Sequence, residues 1–397
     1  MKSSFLPSSL SLLLLLLLAA GCANSDMLLH NRPLNSVQNA SRTHLHVAHI
    51  GAKSYLLIRS EVASYSVLVR AYNEYDGNDK IWELTSTDPA ACSFAADCRC
   101  IELPEVPARA RLYALHVIVQ NNATKYVYSD LLPINREQDG TQTLHIHDTQ
   151  GNLRTQKYFA IGSALRFSHR SDDVQRFFVR HYPTAQLVAA APHNEDRTQN
   201  FNPLTAPART FRIERDSLFT LSEEGTYFLQ TDSASNKGVL FICTDGDYPK
   251  ITRLAELVEA MRYITKNDEY ERLHTAQDQK AELDRYWLAR SPDKERSRSL
   301  LRIYFKRAET ANAYFTAEQA GWRTDRGIIF IVFGKPKTIR KFAHHETWFY
   351  PPTNYRPSVE FVFQRRGEIY QLDRNRQYRD IWNAEINQWR AGYMRTE

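Results

Sequence analysis

The sequence has 397 residues, of which 43% are hydrophobic and 24% charged, and this length is enough for two to four domains of about 100–150 residues. The apolar content excludes a mostly disordered chain, and the mean hydropathy of −0.51 excludes a polytopic membrane protein. The 51 basic and 45 acidic residues leave a net charge of +6, which is too small an excess to indicate a polyanionic partner.

The first residues have the pattern of an export signal. Lys2 precedes an apolar segment, Leu10–Leu18, which is about half as long as the ~20 residues that a membrane-spanning helix needs. The small residues Ala19–Gly21 follow and lead directly to Cys22. This arrangement predicts a cleaved signal peptide over residues 1–21.

The sequence Leu-Ala-Ala-Gly-Cys at positions 18–22 resembles the lipobox of bacterial lipoproteins, in which the cysteine is diacylated and becomes the new N-terminus. The resemblance implies lipidation at Cys22, and two acyl chains are enough for stable anchoring. Residues 22–42 are polar and rich in turn formers, which predicts a tether between lipid and folded chain. The alternative is an ordinary signal peptide followed by an incidental cysteine.

Two β-rich domains are predicted after the tether. Short β-branched and aromatic segments, separated by Asn, Asp and Gly turns, indicate a β-sandwich-like domain over residues 43–136. Similar segments continue and predict a second β-rich domain over residues 137–248. The strands expected in the first domain are 55–58, 65–72, 111–119 and 126–128.

Cysteines 92, 98 and 100 lie close together in the first β-rich domain. An exported chain meets an oxidising compartment, so a disulfide between Cys92 and either Cys98 or Cys100 is expected. A metal site is the alternative reading of three close cysteines, but no histidine lies nearby. Cys243 stands in an apolar segment and is predicted to be a buried thiol.

The hydrophobic pattern changes at Pro249 from the strand to the helix period. Short segments typical of strands return after Gly321 and are ended by Gly and Pro. We therefore predict an α+β domain over residues 249–397, in which a helical hairpin packs on a small antiparallel sheet. Helices are expected over 254–264, 277–289 and 294–315, and strands over 328–333, 346–350, 358–364 and 369–373.

The segment Gly321–Gly327 reads GWRTDRG and is followed by an apolar segment and Gly334-Lys-Pro. It resembles the signature of GWxTD-domain proteins, which are exported, often lipidated proteins of Bacteroidota and relatives. The likeness covers about residues 250–395 and implies a periplasmic or outer-membrane lipoprotein with β-rich domains before the named domain. It supplies no activity, cofactor or substrate. Surface-exposed lipoproteins of that phylum tend to carry an acidic cluster after the lipidated cysteine, whereas only Asp26 occurs here, so we expect an anchor that faces the periplasm.

One interpretation of the motif is architectural. Thr324 and Asp325 would close a turn onto their own backbone, and Gly321 and Gly327 would take positive φ angles. Trp322 would cover the junction between the last helix and the strand that follows it.

Charges around the motif permit two readings. In the architectural reading, Asp325 pairs with Arg326 or Arg307. In the other reading, a polar ligand pocket is formed by Asp325 and Arg326 together with Arg307, Asn312 and Glu346.

Known catalytic patterns are absent from the sequence: it has no serine-nucleophile elbow, zinc-protease motif, P-loop or dinucleotide fingerprint. His145 and His147 share one face of a predicted strand and could bind a metal, but no third ligand is visible, and a solvated sheet face is the simpler interpretation. We therefore predict no catalytic residue, metal or cofactor. Export also makes nucleic acid an unsuitable partner.

Two functional hypotheses follow. The first is a non-enzymatic envelope lipoprotein, held to the outer membrane by its lipid anchor, that docks protein partners in an outer-membrane or periplasmic assembly. The alternative is an enzyme or carbohydrate-binding module that acts on glycan or peptidoglycan through acids such as Asp325 and Glu346. Two carboxylates that face each other across a cleft would favour the alternative, and a hydrogen-bonded, buried Asp325 would favour the first hypothesis.

Overall fold

A computed structural model describes residues 43–73, 79–105, 112–125, 127–135, 140–183, 188–195, 201–202, 205–353 and 356–393. The predicted signal peptide, the tether and Cys22 lie outside the described residues. Among the helices that are described, none combines the length and apolar character needed to cross a membrane.

The first part of the described chain is built from two antiparallel sheets that share one core. Alternating side chains give each sheet an apolar face: Tyr65, Val67 and Val69 of one strand are buried, whereas the residues between them are half-buried. The sheet orders are β1-β2-β5 and β4-β3-β6-β7. The strands are β1 (His44–Ile50), β2 (Lys53–Arg59), β3 (Tyr65–Tyr72), β4 (Lys80–Thr87), β5 (Arg99–Leu103), β6 (Leu112–Asn121) and β7 (Val127–Asn135).

The second part also has two sheets around one core, which is rich in phenylalanine. One sheet has the order β14-β11-β8-β9, and the other has the order β10-β16-β15-β12-β13, in which only the β10–β16 pair is parallel. A short helix, α1 (Gly140–Thr143), leads into it. The strands are β8 (Leu144–His147), β9 (Leu153–Arg154), β10 (Tyr158–Ala160), β11 (Ala164–His169), β12 (Arg176–Tyr182), β13 (Arg209–Glu214), β14 (Phe219–Thr220), β15 (Gly225–Gln230) and β16 (Val239–Thr244).

The C-terminal part combines helices with an antiparallel sheet of order β17-β18-β19-β20. Apolar side chains of the sheet and helices form a single large core, in which Trp348 and Phe361 of the sheet are fully buried. The elements are α2 (Leu254–Ala260), a 3-10 turn (Met261–Tyr263), α3 (Asn267–Thr275), α4 (Gln279–Leu288), α5 (Lys294–Phe315), a second 3-10 turn (Gly321–Arg323), α6 (Asp325–Phe333), β17 (Thr338–Lys341), β18 (His345–Tyr350), β19 (Val359–Arg366), β20 (Ile369–Leu372) and α7 (Tyr378–Arg390).

Most of the predicted C-terminal elements are confirmed. The helix expected over 294–315 has those bounds as α5, and the hairpin expected over 358–373 is formed by β19 and β20. The predicted helix over 254–264 is divided into α2 and a 3-10 turn. The sequence analysis did not identify α3, β17 or α7.

The strand predicted over 328–333 is wrong, because these residues form helix α6. All six side chains, from Ile328 to Phe333, are buried, so no polar position shows the helical period. A short apolar segment of this kind fits a buried strand and a buried helix equally well. Thr324 provides the N-cap that starts the helix.

The C-terminal sheet contacts both β-rich parts. Lys341 of β17 pairs with Asp130 of β7, with 2.5 Å between Nζ and Oδ1. In the β19–β20 turn, Glu368 pairs with Lys157 and accepts a hydrogen bond from the backbone N–H of Leu240 at 2.8 Å. These partly buried polar contacts hold the sheet against the strands that precede it.

Candidate functional site

The GWRTDRG segment lies where α5, the second 3-10 turn and α6 meet backbone to backbone. A Cβ atom on Gly321 would lie 2.0 Å from the carbonyl oxygen of Ala311, and one on Gly327 would lie 1.9 Å from the carbonyl oxygen of Gly321. Neither glycine has a positive φ, so the predicted reason for these glycines is wrong. Their role is to let three pieces of backbone approach more closely than any side chain allows.

Trp322 is 1% exposed and packs edge-on against Tyr263, with 6.3 Å between the ring centroids. Its backbone N–H donates to Oδ1 of Asn312 at 3.0 Å, and Nδ2 of the same amide donates to the carbonyl of Pro249 at 3.0 Å. The predicted position of Trp322 at a helix–strand junction is wrong because the element that follows is α6. Trp322 and Asn312 instead join α5 to the turn between two helices.

Thr324 is the N-cap of α6. Its Oγ1 accepts a hydrogen bond from the backbone N–H of Gly327 at 3.1 Å and donates one to the carbonyl of Gly321 at 2.8 Å. The side chain is 6% exposed, so water does not replace either bond easily. Thr324 therefore links the 3-10 turn to the start of the helix.

Replacement of Thr324 by alanine should lower the free energy of unfolding by about 1–3 kcal/mol, because it removes an N-cap and leaves a buried N–H unpaired. Thr324→Ser is the matched control: it keeps the hydroxyl and should retain most of the stability. Urea unfolding followed by tryptophan fluorescence measures both variants. If both variants lost the same free energy of unfolding, the methyl group of Thr324, and not its capping hydroxyl, would account for the loss.

Asp325 forms a bidentate ion pair with Arg374, which follows β20. Nη2 of Arg374 lies 2.5 Å from Oδ1 and Nη1 lies 3.1 Å from Oδ2, while the backbone N–H of Leu372 donates to Oδ2 at 2.7 Å. The side chains of Arg374 and Asp325 are 3% and 11% exposed. The predicted pairing of Asp325 with Arg326 or Arg307 is therefore wrong.

Arg326 and Glu346 form a second charged contact near the start of α6. The Nη1 of Arg326 lies 3.5 Å from Oε1 of Glu346, and the same oxygen accepts a hydrogen bond from Nε1 of Trp348 at 2.9 Å. The guanidinium group also stacks on Tyr370, 3.9 Å from the ring centroid. Glu346 is 2% exposed, so both of its contacts are shielded from water.

Arg307 is placed at the opposite end of α6. Its Nη1 donates to the carbonyls of Ile331 at 3.2 Å and Val332 at 3.4 Å, which are among the carbonyls that a helix C-terminus leaves unpaired. Gly334 follows with a φ of 78°, and a Cβ there would lie 2.6 Å from the guanidinium group of Arg307. Arg307 therefore closes the end of the helix, away from Asp325.

Glu318 precedes the motif, in the segment between α5 and the 3-10 turn, and was not identified from the sequence. Its Oε2 is buried without a hydrogen-bond partner among the described residues. Burial raises the pKa of this carboxyl group from 4.5 to about 7; the charge of Asp325 adds to the rise and Arg326 opposes it. Glu318 is thus an acid that resists ionisation in the folded chain.

Stability should depend on pH through Glu318. The pKa of the Glu318 carboxyl group is higher in the folded chain than in the unfolded chain. The stability that the protonated carboxyl group contributes is therefore fully present below pH 4.5 and is lost as the pH rises through about 7. Glu318→Gln cannot ionise, so at pH 8 we expect it to be more stable than the parent, by on the order of 1–3 kcal/mol, with the difference shrinking towards pH 4.5. Paired urea titrations at several pH values measure this, and a difference that is constant with pH would contradict it.

The polar groups of the motif are committed to other parts of the same chain. Asp325 is neutralised by Arg374, and Glu346 is bonded to Arg326 and Trp348. General acid–base catalysis needs a carboxyl group that can reach the substrate. The arrangement is suited to holding α5, α6 and the sheet together.

The other candidate residues lie in the β-rich parts. The thiols of Cys92, Cys98 and Cys100 are near one another in one apolar cluster, and burial, together with neighbouring Cys92, raises the pKa of Cys100 to about 12. The disulfide stays a prediction. Cys243 is buried, as expected.

The interpretation of His145 and His147 as a solvated sheet face is wrong, because His145 is 4% exposed and His147 is half-buried. Nδ1 of His145 is buried and has no hydrogen-bond partner among the described residues. Nε2 of His145 donates to the carbonyl of His49 at 2.8 Å, and Nε2 of His147 lies 2.8 Å from Oγ of Ser168. Burial lowers the pKa of His145 to about 4. Within the described part of the chain, no group of three His, Cys, Asp or Glu residues could hold a metal ion.

Arg374 was also missed by the sequence analysis. It lies 49 residues after Asp325 in a segment with several arginines, so no local pattern distinguishes it from Arg376 or Arg379. Its Nη2 also donates to the carbonyl of Ala190 at 3.2 Å. Only the tertiary structure shows that this arginine joins the motif to the second β-rich part.

Part of the chain matches a known protein family. Residues 225–391 match the family model described as GWxTD domain, so the chain contains a GWxTD domain. The match begins at the first residue of β15 and includes every element from there to α7. No curated protein matches the chain significantly.

Proposed function

We propose that this GWxTD-domain chain is a non-enzymatic lipoprotein of the bacterial cell envelope that docks protein partners. Acyl chains on Cys22 would hold it to the outer membrane, facing the periplasm, and the sequence pattern suggests an origin in Bacteroidota or a relative. The β-rich parts would act as β-sandwich-like spacers, and the C-terminal domain, a helical hairpin on a small antiparallel sheet, would meet the partner.

The observation that carries the proposal is the use of the motif's polar side chains. Asp325 binds Arg374 and the backbone of Leu372, while Thr324 caps α6. These bonds are made within the chain, and they occupy the polar groups with which the motif would otherwise bind a ligand. A motif of this kind supports a rigid scaffold better than a catalytic centre.

Acylation and location are tested by metabolic labelling with a palmitate analogue, followed by fractionation of the envelope. We expect the parent chain to be labelled and to sediment with the outer membrane, and Cys22→Ser to lose both properties. An unlabelled parent chain in the cytosolic fraction would contradict the proposal.

The docking role is tested separately, by reciprocal affinity purification of the lipidated protein from solubilised envelope. We expect one or more envelope proteins to co-purify in stoichiometric amounts, in both directions. Release of sugars from peptidoglycan or envelope glycan by the purified protein, abolished in an Asp325→Asn variant that stays as stable as the parent chain, would instead establish the enzymatic alternative.

A further inference from the structure

A groove with a volume of about 720 Å³ lies between the C-terminal region and a segment of the second β-rich part. One wall is α7, the opposite wall is formed by residues 262–270 around the start of α3, and the floor includes Val188–Ala191. The side chains of Ala189, Ala190 and Ala191 are small, so a backbone could lie close to this floor.

Four carboxamide side chains line this groove: Asn194, Asn267, Asn383 and Asn387. Within the ranges that the structure describes, none of the four side chains takes part in a hydrogen bond. Each carboxamide offers both a donor and an acceptor. A peptide group offers the complementary pair, a carbonyl and an N–H.

The spacing on α7 fits an extended chain. Asn383 and Asn387 are four residues apart, which places them on one face of the helix and about 6 Å apart along its axis. In an extended peptide, every second residue presents its groups to the same side, at a repeat of about 6.6 Å. Successive asparagines can therefore pair with alternate peptide groups of one bound segment.

The charge of the groove is positive. Arg262 and Lys266 are exposed on one wall, and neither pairs with a carboxylate in the described part of the chain. Arg390 is neutralised, since Nη2 donates to Oε1 of Glu269 at 2.9 Å. No aspartate or glutamate is among the described lining residues. An acidic ligand would therefore be attracted.

We propose that this groove binds an extended, acidic peptide segment of a partner protein. This inference deepens the proposed docking role and depends on it. Sugar-binding sites commonly stack a pyranose ring on an open aromatic face, but Trp382 and Tyr263 in the groove are each only 6% exposed. The third aromatic residue of the lining, Tyr270, has its ring between the guanidinium group of Arg262, 5.1 Å from the centroid, and the stacked ring of His274, at 5.9 Å. The observations thus favour a peptide over an anionic glycan.

The test is selection of random dodecapeptides, displayed on beads, against the full mature chain in detergent, followed by fluorescence anisotropy of the selected peptides. We expect the selected peptides to be rich in Asp and Glu. Asn383→Ala combined with Asn387→Ala should weaken their binding about tenfold or more, because two sets of hydrogen bonds are lost. Alanine favours the helix, so this variant should remain folded.

A charge-reversed variant, Arg262→Glu with Lys266→Glu, should weaken binding further and reverse its salt dependence, because added salt would then screen a repulsion. The matched controls are Gln388→Ala, an amide of α7 outside the lining, and Arg302→Glu, an exposed arginine on α5. Both should bind like the parent chain.

Three outcomes would overturn the inference: no enriched peptides, binding that the asparagine variant leaves unchanged, or binding of heparin, but of no peptide, that depends on Asn383 and Asn387. A chain that is acylated, lies in the envelope and purifies with a stoichiometric partner, but binds no peptide, would leave the proposed function in place. Only the inference that the groove binds an acidic peptide would then be contradicted.

Discussion

Gly327→Ala should cause one of the largest losses of stability of any single substitution in this chain, about 3 kcal/mol or more. The added Cβ would lie 1.9 Å from the carbonyl oxygen of Gly321 and 3.0 Å from its carbonyl carbon. Both atoms belong to backbone that is held on either side, by the Thr324 cap and by the N–H of Trp322 bonded to Asn312. The 3-10 turn and α6 would have to separate.

Gly246→Ala is the matched control, because a Cβ there meets no atom within 4 Å and the residue has no positive φ. It should change stability by no more than about 1 kcal/mol, in the stabilising direction if any. Five of the six tryptophans lie between residues 287 and 389, so their fluorescence follows unfolding of the C-terminal region. Similar urea midpoints for Gly327→Ala and Gly246→Ala would show that the close approach of Gly327 to the backbone of Gly321 is not needed for stability.

The sequence was informative wherever one face of an element is buried and the other is not. The alternation in β3 and the 3-4 spacing of buried residues in α5 both record which side faces the core. The pattern failed for α6 because its residues 328–333 are buried on every side. It also could not show that Gly321 and Gly327 serve close packing, because that depends on where α5 lies.

The residues of the motif could be identified from the sequence, but their partners could not. Thr324 and Asp325 were both expected to close a turn onto their own backbone, and this is confirmed for Thr324 only. It is wrong for Asp325, whose carboxylate accepts from the backbone N–H of Leu372 instead. The partner of Asp325 was sought among nearby arginines, whereas the structure brings Arg374 from beyond β20. Long-range ion pairs depend on sheet topology, which local periodicity does not contain.

Asp325→Ala should lower the free energy of unfolding by about 3–5 kcal/mol, because it leaves the guanidinium group of Arg374 buried without its counter-charge. It also removes the acceptor for the backbone N–H of Leu372. The exposed pair of Arg340 and Glu360 is the control: its side chains are 41% and 48% exposed, so Arg340→Ala should cost no more than about 1 kcal/mol.

A double-mutant cycle separates the ion pair from the other contacts of Asp325. Arg374→Met removes the buried charge and keeps much of the side-chain volume, so Asp325→Ala with Arg374→Met should cost less than the sum of the two single changes, by about 1–3 kcal/mol. Strict additivity would contradict a coupled pair. A catalytic acid behaves differently, because its removal abolishes turnover while stability is unchanged or higher. Loss of stability, partly recovered in the double variant, would therefore identify Asp325 as a structural residue, which joins α6 to the end of β20.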